Sequence, residues 1–333
     1  MNSELITKNI GHLIGLLVLL FILLGLLTFT GTMKCNQFPL IGGAWCEVYW
    51  GIKAFATGNP TVLIVYGDSG LGNPIGFGNG SLESLLSDPN ILGIQSDKLH
   101  IDNVSFGAIK NYDIVIVDRA KQIETKQLRA FIEYAMQPTG GTLVWTGDAG
   151  TELGPDDHYL YTEDKDPEVD VNKIIGPWAR QDGPYQISFD EMLGVRPVDN
   201  EKVTFCQLGM CKQTQETRVG NIGTEPSGNH PLIRGISKSL PLYVFNGEDL
   251  AIVETISGTN TTEAMSLEFG SELGMGGYDL NKSVPLIVTS GLGERVIYYA
   301  MPPEYFANPK LLEAGKQPYI LPIENLYYGI IKG

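Results

Sequence analysis

Basic residues are scarce: 23 Lys and Arg face 38 Asp and Glu, a net charge of −15. Such a surface repels nucleic acid and anionic headgroups, so no nucleic-acid partner is expected. Histidine is scarcer still, with four in 333 residues and none after His230. That leaves few bases for nucleophilic catalysis, and no cofactor is expected. There are four cysteines, in two close pairs, Cys35 with Cys46 and Cys206 with Cys211. Charge is missing altogether between Lys8 and Lys34.

That uncharged stretch, centred on "LIGLLVLLFILLGLLTF", is long enough at about 1.5 Å per residue to cross a hydrocarbon core of roughly 30 Å. We expect a short tail over 1–12, a transmembrane helix over 13–33 and a connector over 34–58. A cleaved signal peptide is the rival reading; against it stand a single lysine in its n-region and no A-x-A-like site after the apolar run. Lys8 and Lys34 flank the span evenly, so charge does not orient it. The cysteine pairs, all after the span, suit disulfides in an oxidising compartment. Sequons at Asn79, Asn103, Asn260 and Asn281 lie on the same side and predict N-linked glycans. Together they put the N-terminus in the cytoplasm and the rest outside it, at a cell membrane or endomembrane. In the connector, Trp45, Val48, Tyr49, Ile52 and Phe55 recur at helical spacing. That stripe either lies at the membrane interface, with Trp45, Tyr49 and Trp50 at headgroup level, or packs on the main domain.

From Thr61 the pattern changes. "TVLIVYG", "YDIVIVD" and "GTLVWTG" are short, continuous apolar runs that read as buried strands. "SLESLLSD" and "TKQLRAFIEYAM" have helical period; in the second, Leu128, Phe131, Ile132, Ala135 and Met136 form the predicted buried stripe. Strand and helix in alternation predict an α/β domain with a mainly parallel sheet covered on both faces. Periodicity lapses over 151–226, which reads as an insertion with a short hairpin at "VTFCQLGMCKQT". Strands return at "LYVFNG", "LAIVETI", "PLIVTSG" and "ERVIYYAM", and "IENLYYGIIKG" reads as a closing helix.

The order of "YDIVIVD", a helix, "GGTLVWTGDAG", "NHPLIRGI" and "SGLGERVIYYAMPPE" resembles the class I glutamine amidotransferase-like fold, closest to its non-amidotransferase branches. The resemblance covers 59–333 apart from the insertion. It implies a three-layer, flavodoxin-like sandwich. Its enzymes carry a G-x-C-x-G elbow after the central strand and a late His-x-Glu. Here the elbow reads Thr146-Gly147-Asp148-Ala149-Gly150, and the late histidine is missing. The resemblance therefore implies a non-catalytic domain acting as an accessory or scaffolding subunit, with other membrane or surface proteins as partners.

Other chemistries have candidate residues too. Ser69, in "GDSGLGNP" after the first strand, sits where a serine nucleophile would sit, but it needs a base and an orienting acid. His100 is expected before a short strand. His230 is either a base reaching the sheet's carboxyl edge or a structural histidine opening a Pro turn. Asp148 is a weak alternative nucleophile. Asp164, Asp166, Glu168 and Asp170 alternate in the insertion, as a hard-cation site or a solvated acidic loop. A tethered serine hydrolase and a carbohydrate- or ion-binding surface protein are thus the alternatives.

Overall fold

Two units make up the computed structural model, residues 1–59 with 332–333, and residues 60–331. The structure describes residues 3–29, 42–68, 81–137, 141–160, 176–202, 206–207, 210–211, 216–224, 230–236, 240–245, 249–256, 260–269, 283–307 and 317–331.

The first unit is a pair of helices, α1 (Ser3–Phe29) and α2 (Gly42–Thr57). Helix α1 starts within the expected tail, because nothing between Ser3 and the apolar run breaks a helix. Its stretch Ile10–Thr28 is long and apolar enough to cross a membrane. Trp45 of α2 is buried against α1: its ring meets Phe21 edge-on at 5.0 Å, and its indole N–H donates to Thr28 Oγ1 at 2.8 Å. Leu24, Leu27, Tyr49 and Trp50 complete that small core. Trp45 of the expected stripe thus packs on α1.

The second unit is mixed α/β with a largely parallel central sheet. Strands β1 (Val62–Tyr66), β2 (Ser96–His100), β3 (Ile114–Asp118), β4 (Thr142–Thr146) and β16 (Val296–Tyr299) run parallel in the order β2-β1-β3-β4-β16. The order 2-1-3-4 is that of doubly wound, flavodoxin-like sheets. Beyond β16 the sheet continues antiparallel through β15 (Ser283–Ser290), β14 (Thr261–Phe269), β11 (Glu216–Thr224) and β12 (Leu240–Phe245). Strand β11 lies inside the stretch expected as an insertion. Its "RVGNIGT" lacks a clean alternation, and its place comes from pairing with β12 and β14 instead.

The parallel strands are apolar because both faces are covered. All of β3 and all of β4 are buried. Burial of each Val, Ile or Leu there stabilises the fold by about 1.5–3 kcal/mol. Strand β2, "SDKLH", is polar because it is the edge, where Lys98 Nζ meets Glu83 Oε2 at 2.8 Å.

Helices α3 (Leu82–Ser87), α4 (Phe106–Ile109) and α5 (Thr125–Met136) connect the parallel strands. Ser81 Oγ accepts from the Ser84 N–H to cap α3, and Ser105 Oγ accepts from the Ala108 N–H to cap α4. At the start of α5 the Glu124 N–H donates to Gln127 Oε1 at 2.7 Å. Its buried face is Gln127, Leu128, Phe131, Tyr134 and Ala135; Met136 is exposed, because the stripe turns toward Tyr134, whose hydroxyl reaches the Tyr112 carbonyl. Helix α7 (Gln317–Ile331) closes the chain and packs so tightly that a Cβ on Gly329 would lie 2.8 Å from the Pro231 carbonyl.

The expected insertion supplies a three-stranded antiparallel sheet, β5 (His158–Tyr159), β6 (Ala179–Asp182) and β7 (Tyr185–Ser188). It also supplies α6 (Phe189–Leu193), β8 (Val195–Lys202) and the hairpin β9 (Cys206–Gln207) with β10 (Met210–Cys211). Strand β8 pairs with β13 (Asp249–Thr255).

Candidate functional site at the carboxyl edge of the parallel strands

Doubly wound sheets bind ligands outside the carboxyl ends of their strands, where the strand order reverses. Here that point lies between β1 and β3, whose exits approach each other closely. Gly67 follows β1, and a Cβ there would sit 3.0 Å from the Ala120 Cα. Glycine is favoured by this close approach of two backbones, not by the left-handed turn a strand exit commonly uses.

After β3 the chain bends through Arg119, a non-glycine residue with φ 54°. A side chain in that conformation costs of order 1–3 kcal/mol and persists where the surroundings enforce it. They do so through Glu304: Arg119 Nε and Nη2 both donate to Glu304 Oε1, at 3.0 and 2.8 Å, across 185 residues of sequence. The guanidinium also lies 3.8 Å from Asp118 Oδ2 and 5.6 Å from the Tyr305 ring centre. Burial, and then the nearby charge of Glu304, push the Asp118 carboxyl well above the usual carboxylate range. For Arg119, burial favours the neutral form, but Glu304 and Asp118 outweigh it and hold the cation. This is a buried ion cluster whose guanidinium is already committed.

After β4 comes the elbow. Gly147 has φ 53° and Gly150 φ 70°, so the glycines let the chain turn tightly twice. All residues from Gly147 to Gly150 are buried. Asp148 Oδ2 lies 3.6 Å from Lys121 Nζ, which also lies 3.2 Å from Glu152 Oε1. Partial burial lowers the Lys121 pKa, but Asp148 and Glu152 reverse that and raise it. The Asp148 carboxylate thus has a cation as its neighbour.

The elbow backbone is engaged as well. The Gly147 N–H donates to the Tyr299 carbonyl, Ala149 to Thr146, Gly150 to Ala120 and Thr151 to Asp148. An oxyanion hole needs such donors free. On the acceptor side, Trp145 and Trp178 both donate their indole N–H to the Ala149 carbonyl, at 2.8 and 2.7 Å, and the Tyr298 hydroxyl donates to Gly147. Arg180, fully buried, donates to the carbonyls of Ile123, Gly150 and Glu152 and lies 3.6 Å from Asp157. Burial lowers its pKa to about 10, with Asp157 opposing. Trp178 and Arg180 come from β6 and the turn before it, so the expected insertion covers the elbow.

The other predicted site residues are scattered. His230 Nδ1 accepts from the Leu232 N–H, capping a short 3-10 turn, and Nε2 lies 3.4 Å from Glu294 Oε2. Glu294 lies two residues before β16, whereas Asp148 follows β4, parallel to it. His230 and Asp148 therefore stand at opposite ends of those strands, separated by about 3.3 Å per strand residue, and form no dyad. His100 ends β2 instead of preceding a strand. Its Nε2 lies 3.3 Å from Asp68 Oδ1, its Nδ1 3.2 Å from Asp102 Oδ2, and its ring meets Tyr66 edge-on at 5.2 Å.

Ser69, Cys35, Asn79, Asn281 and the run Asp164, Asp166, Glu168 and Asp170 lie outside the described residues, and so does the side chain of Cys46. Cys206 and Cys211 stand directly opposite in the β9–β10 register. Asn103 is exposed in a 3-10 turn, and Asn260 Nδ2 donates to the Gly291 carbonyl at 3.3 Å. Among the described residues, no group of three His, Cys, Asp or Glu side chains is placed to hold a metal ion.

No family model matches the chain, and no curated protein matches it. Among solved structures, a ThuA-like protein from Bacteroides uniformis aligns at 14% identity and TM-score 0.47, over 81% of this chain and 91% of that one. A cold-adapted β-galactosidase from Rahnella sp. R3 aligns at 14% identity and TM-score 0.43, over 82% of this chain and 34% of the enzyme.

Proposed function

We propose that the chain is a single-pass membrane protein whose extracytoplasmic domain, a three-layer sandwich of the amidotransferase-like kind, is non-catalytic and serves assembly as an accessory or scaffolding subunit. The observation that carries the non-catalytic part is the sealed elbow. Its nucleophile position holds Asp148, neutralised by Lys121, and Trp178 and Arg180 close over its backbone. Fold without chemistry leaves surface recognition as the domain's use. The apolar Ile10–Thr28 stretch supports the anchor, and the facing Cys206 and Cys211 support an oxidising compartment.

The test is size. The full chain, gently extracted from its native membrane, is expected to migrate on a native gel in a defined assembly that chemical cross-linking fixes. A strict monomer with no cross-linked partner overturns the reading.

A second reading keeps one specific observation: His100 Nε2 lies 3.3 Å from Oδ1 of Asp68, the residue that precedes Ser69 in the sequence. A hydrolase using Ser69 would take His100 as its base, not His230, and a fluorophosphonate probe decides the matter.

A further inference from the structure

We infer that α2 is a second membrane contact, with its Val48, Ile52 and Phe55 face inserted among lipid acyl chains beside α1. The inference rests on the reading that α1 crosses a bilayer. It adds a lipid-facing site that the anchor alone does not require.

Depth comes first. The apolar stretch of α1 is centred near Leu19. Phe21 and Thr28 lie about 3 Å and about 14 Å further along the axis, inside a half-thickness of about 15 Å. Trp45 touches Phe21 and Thr28 and is buried with Leu24. It therefore sits at hydrocarbon depth and holds the start of α2 there. Its indole N–H is satisfied by Thr28 Oγ1, which itself donates to the Leu24 carbonyl at 2.8 Å. The polar atoms of this contact thus stay paired where water is absent.

The faces of α2 agree. Val48, Ile52 and Phe55 fall at i, i+4 and i+7 and share one side. They are exposed, Phe55 by 96%. On the wheel this side adjoins Trp45 and Tyr49, which pack on α1, so the apolar surface of α2 runs on into that of α1. Lys53 falls roughly 100° or more round the wheel from Val48, Ile52 and Phe55. Lys53 Nζ lies 4.6 Å from the Trp50 ring centre, an amphipathic arrangement that suits a headgroup level with the stem kept in apolar surroundings. Lipid is the one occupant that fits both the depth and this continuity.

The experiment places a photoreactive phenylalanine analogue, one position at a time, at Leu19, Ile52, Lys53 and Phe55 of the full chain in phosphatidylcholine–phosphatidylglycerol nanodiscs. Irradiation is followed by intact mass. Lipid adducts are expected at 19, 52 and 55, with yields at 55 severalfold above 53. Trp45→Ala is expected to lower the yield at 55 severalfold and leave that at 19 unchanged. No lipid adduct at 55 while 19 gives one overturns the inference and leaves the anchor standing. A cross-link from 55 to protein, within the chain or to a second copy, also overturns it. No lipid adduct at 19 overturns the anchor and the inference together.

Discussion

Trp178 donates its indole N–H to the main-chain carbonyl of Ala149 at 2.7 Å, and so ties the turn before β6 to the elbow after β4. The ring also meets Tyr298 edge-on at 5.8 Å. Trp178→Ala removes a fully buried indole and is expected to cost about 3–5 kcal/mol. Trp178→Phe keeps most of the packing, loses the hydrogen bond and costs about 1–3 kcal/mol. Urea unfolding of the two variants checks the ranking. Glutamine hydrolysis is expected to stay at background in both, because Asp148 remains beneath.

The Arg119–Glu304 pair gives a test by double-mutant cycle. Arg119→Leu strands two buried carboxyls and is expected to cost about 3–5 kcal/mol. Adding Glu304→Leu is expected to restore a large part of that loss, because the carboxylate left without its cation is removed as well. A strictly additive double variant would show that the pair is not coupled.

Asp118 makes stability depend on pH with a definite sign. Its carboxyl is raised well above the usual carboxylate range by burial and then by Glu304. The folded state therefore binds a proton that the unfolded state has released, and stability falls as pH rises from about 4 through the folded value. Asp118→Asn stays neutral throughout. Its melting temperature relative to the natural chain is expected to climb as pH is raised over that window. A flat difference would show that Asp118 does not titrate in the fold.

Ser69 is expected to be unreactive. The full chain should take up no fluorophosphonate, and Ser69→Ala and His100→Ala should look the same as the natural chain. Labelling lost in Ser69→Ala would establish the hydrolase and displace the scaffolding role.

Cys206 and Cys211 face each other across the β9–β10 pair. If they are bridged, alkylation of the unfolded chain adds nothing at these residues until reductant is present. Removing so short a loop closure is expected to cost roughly 2 kcal/mol. At Asn103, Asn103→Gln should abolish any shift on endoglycosidase treatment that the site contributes, while Ser105 continues to cap α4.

The central strands were legible because both faces are apolar, so "VLIVY", "IVIVD" and "TLVWT" needed no partner to be read. Helix α5 was legible from its period, although Tyr134 rather than Met136 completes its face. Strand β2 was not, because an edge strand with Asp97, Lys98 and His100 has no apolar run to show. The elbow could be found from its glycines, but its closure could not. Trp178 and Arg180 come from a segment without period, and Arg119 meets Glu304 only through the folded sheet. Long-range pairing leaves no local signature. The left-handed backbone at Arg119 leaves none either, since arginine is not a residue that announces a turn.

Gly67 bears on how such chains are scanned. The tripeptide Gly67-Asp68-Ser69 looks like the signature of an esterase, and its first letter is what draws the eye. That letter is favoured by Ala120: alanine at 67 would bring a Cβ to 3.0 Å from a backbone carbon. The glycine is accounted for by the spacing of two neighbouring strand exits whether or not a nucleophile follows. A short motif can be assembled by unrelated demands, one letter at a time, and each letter has to be traced to its own cause before the word is believed.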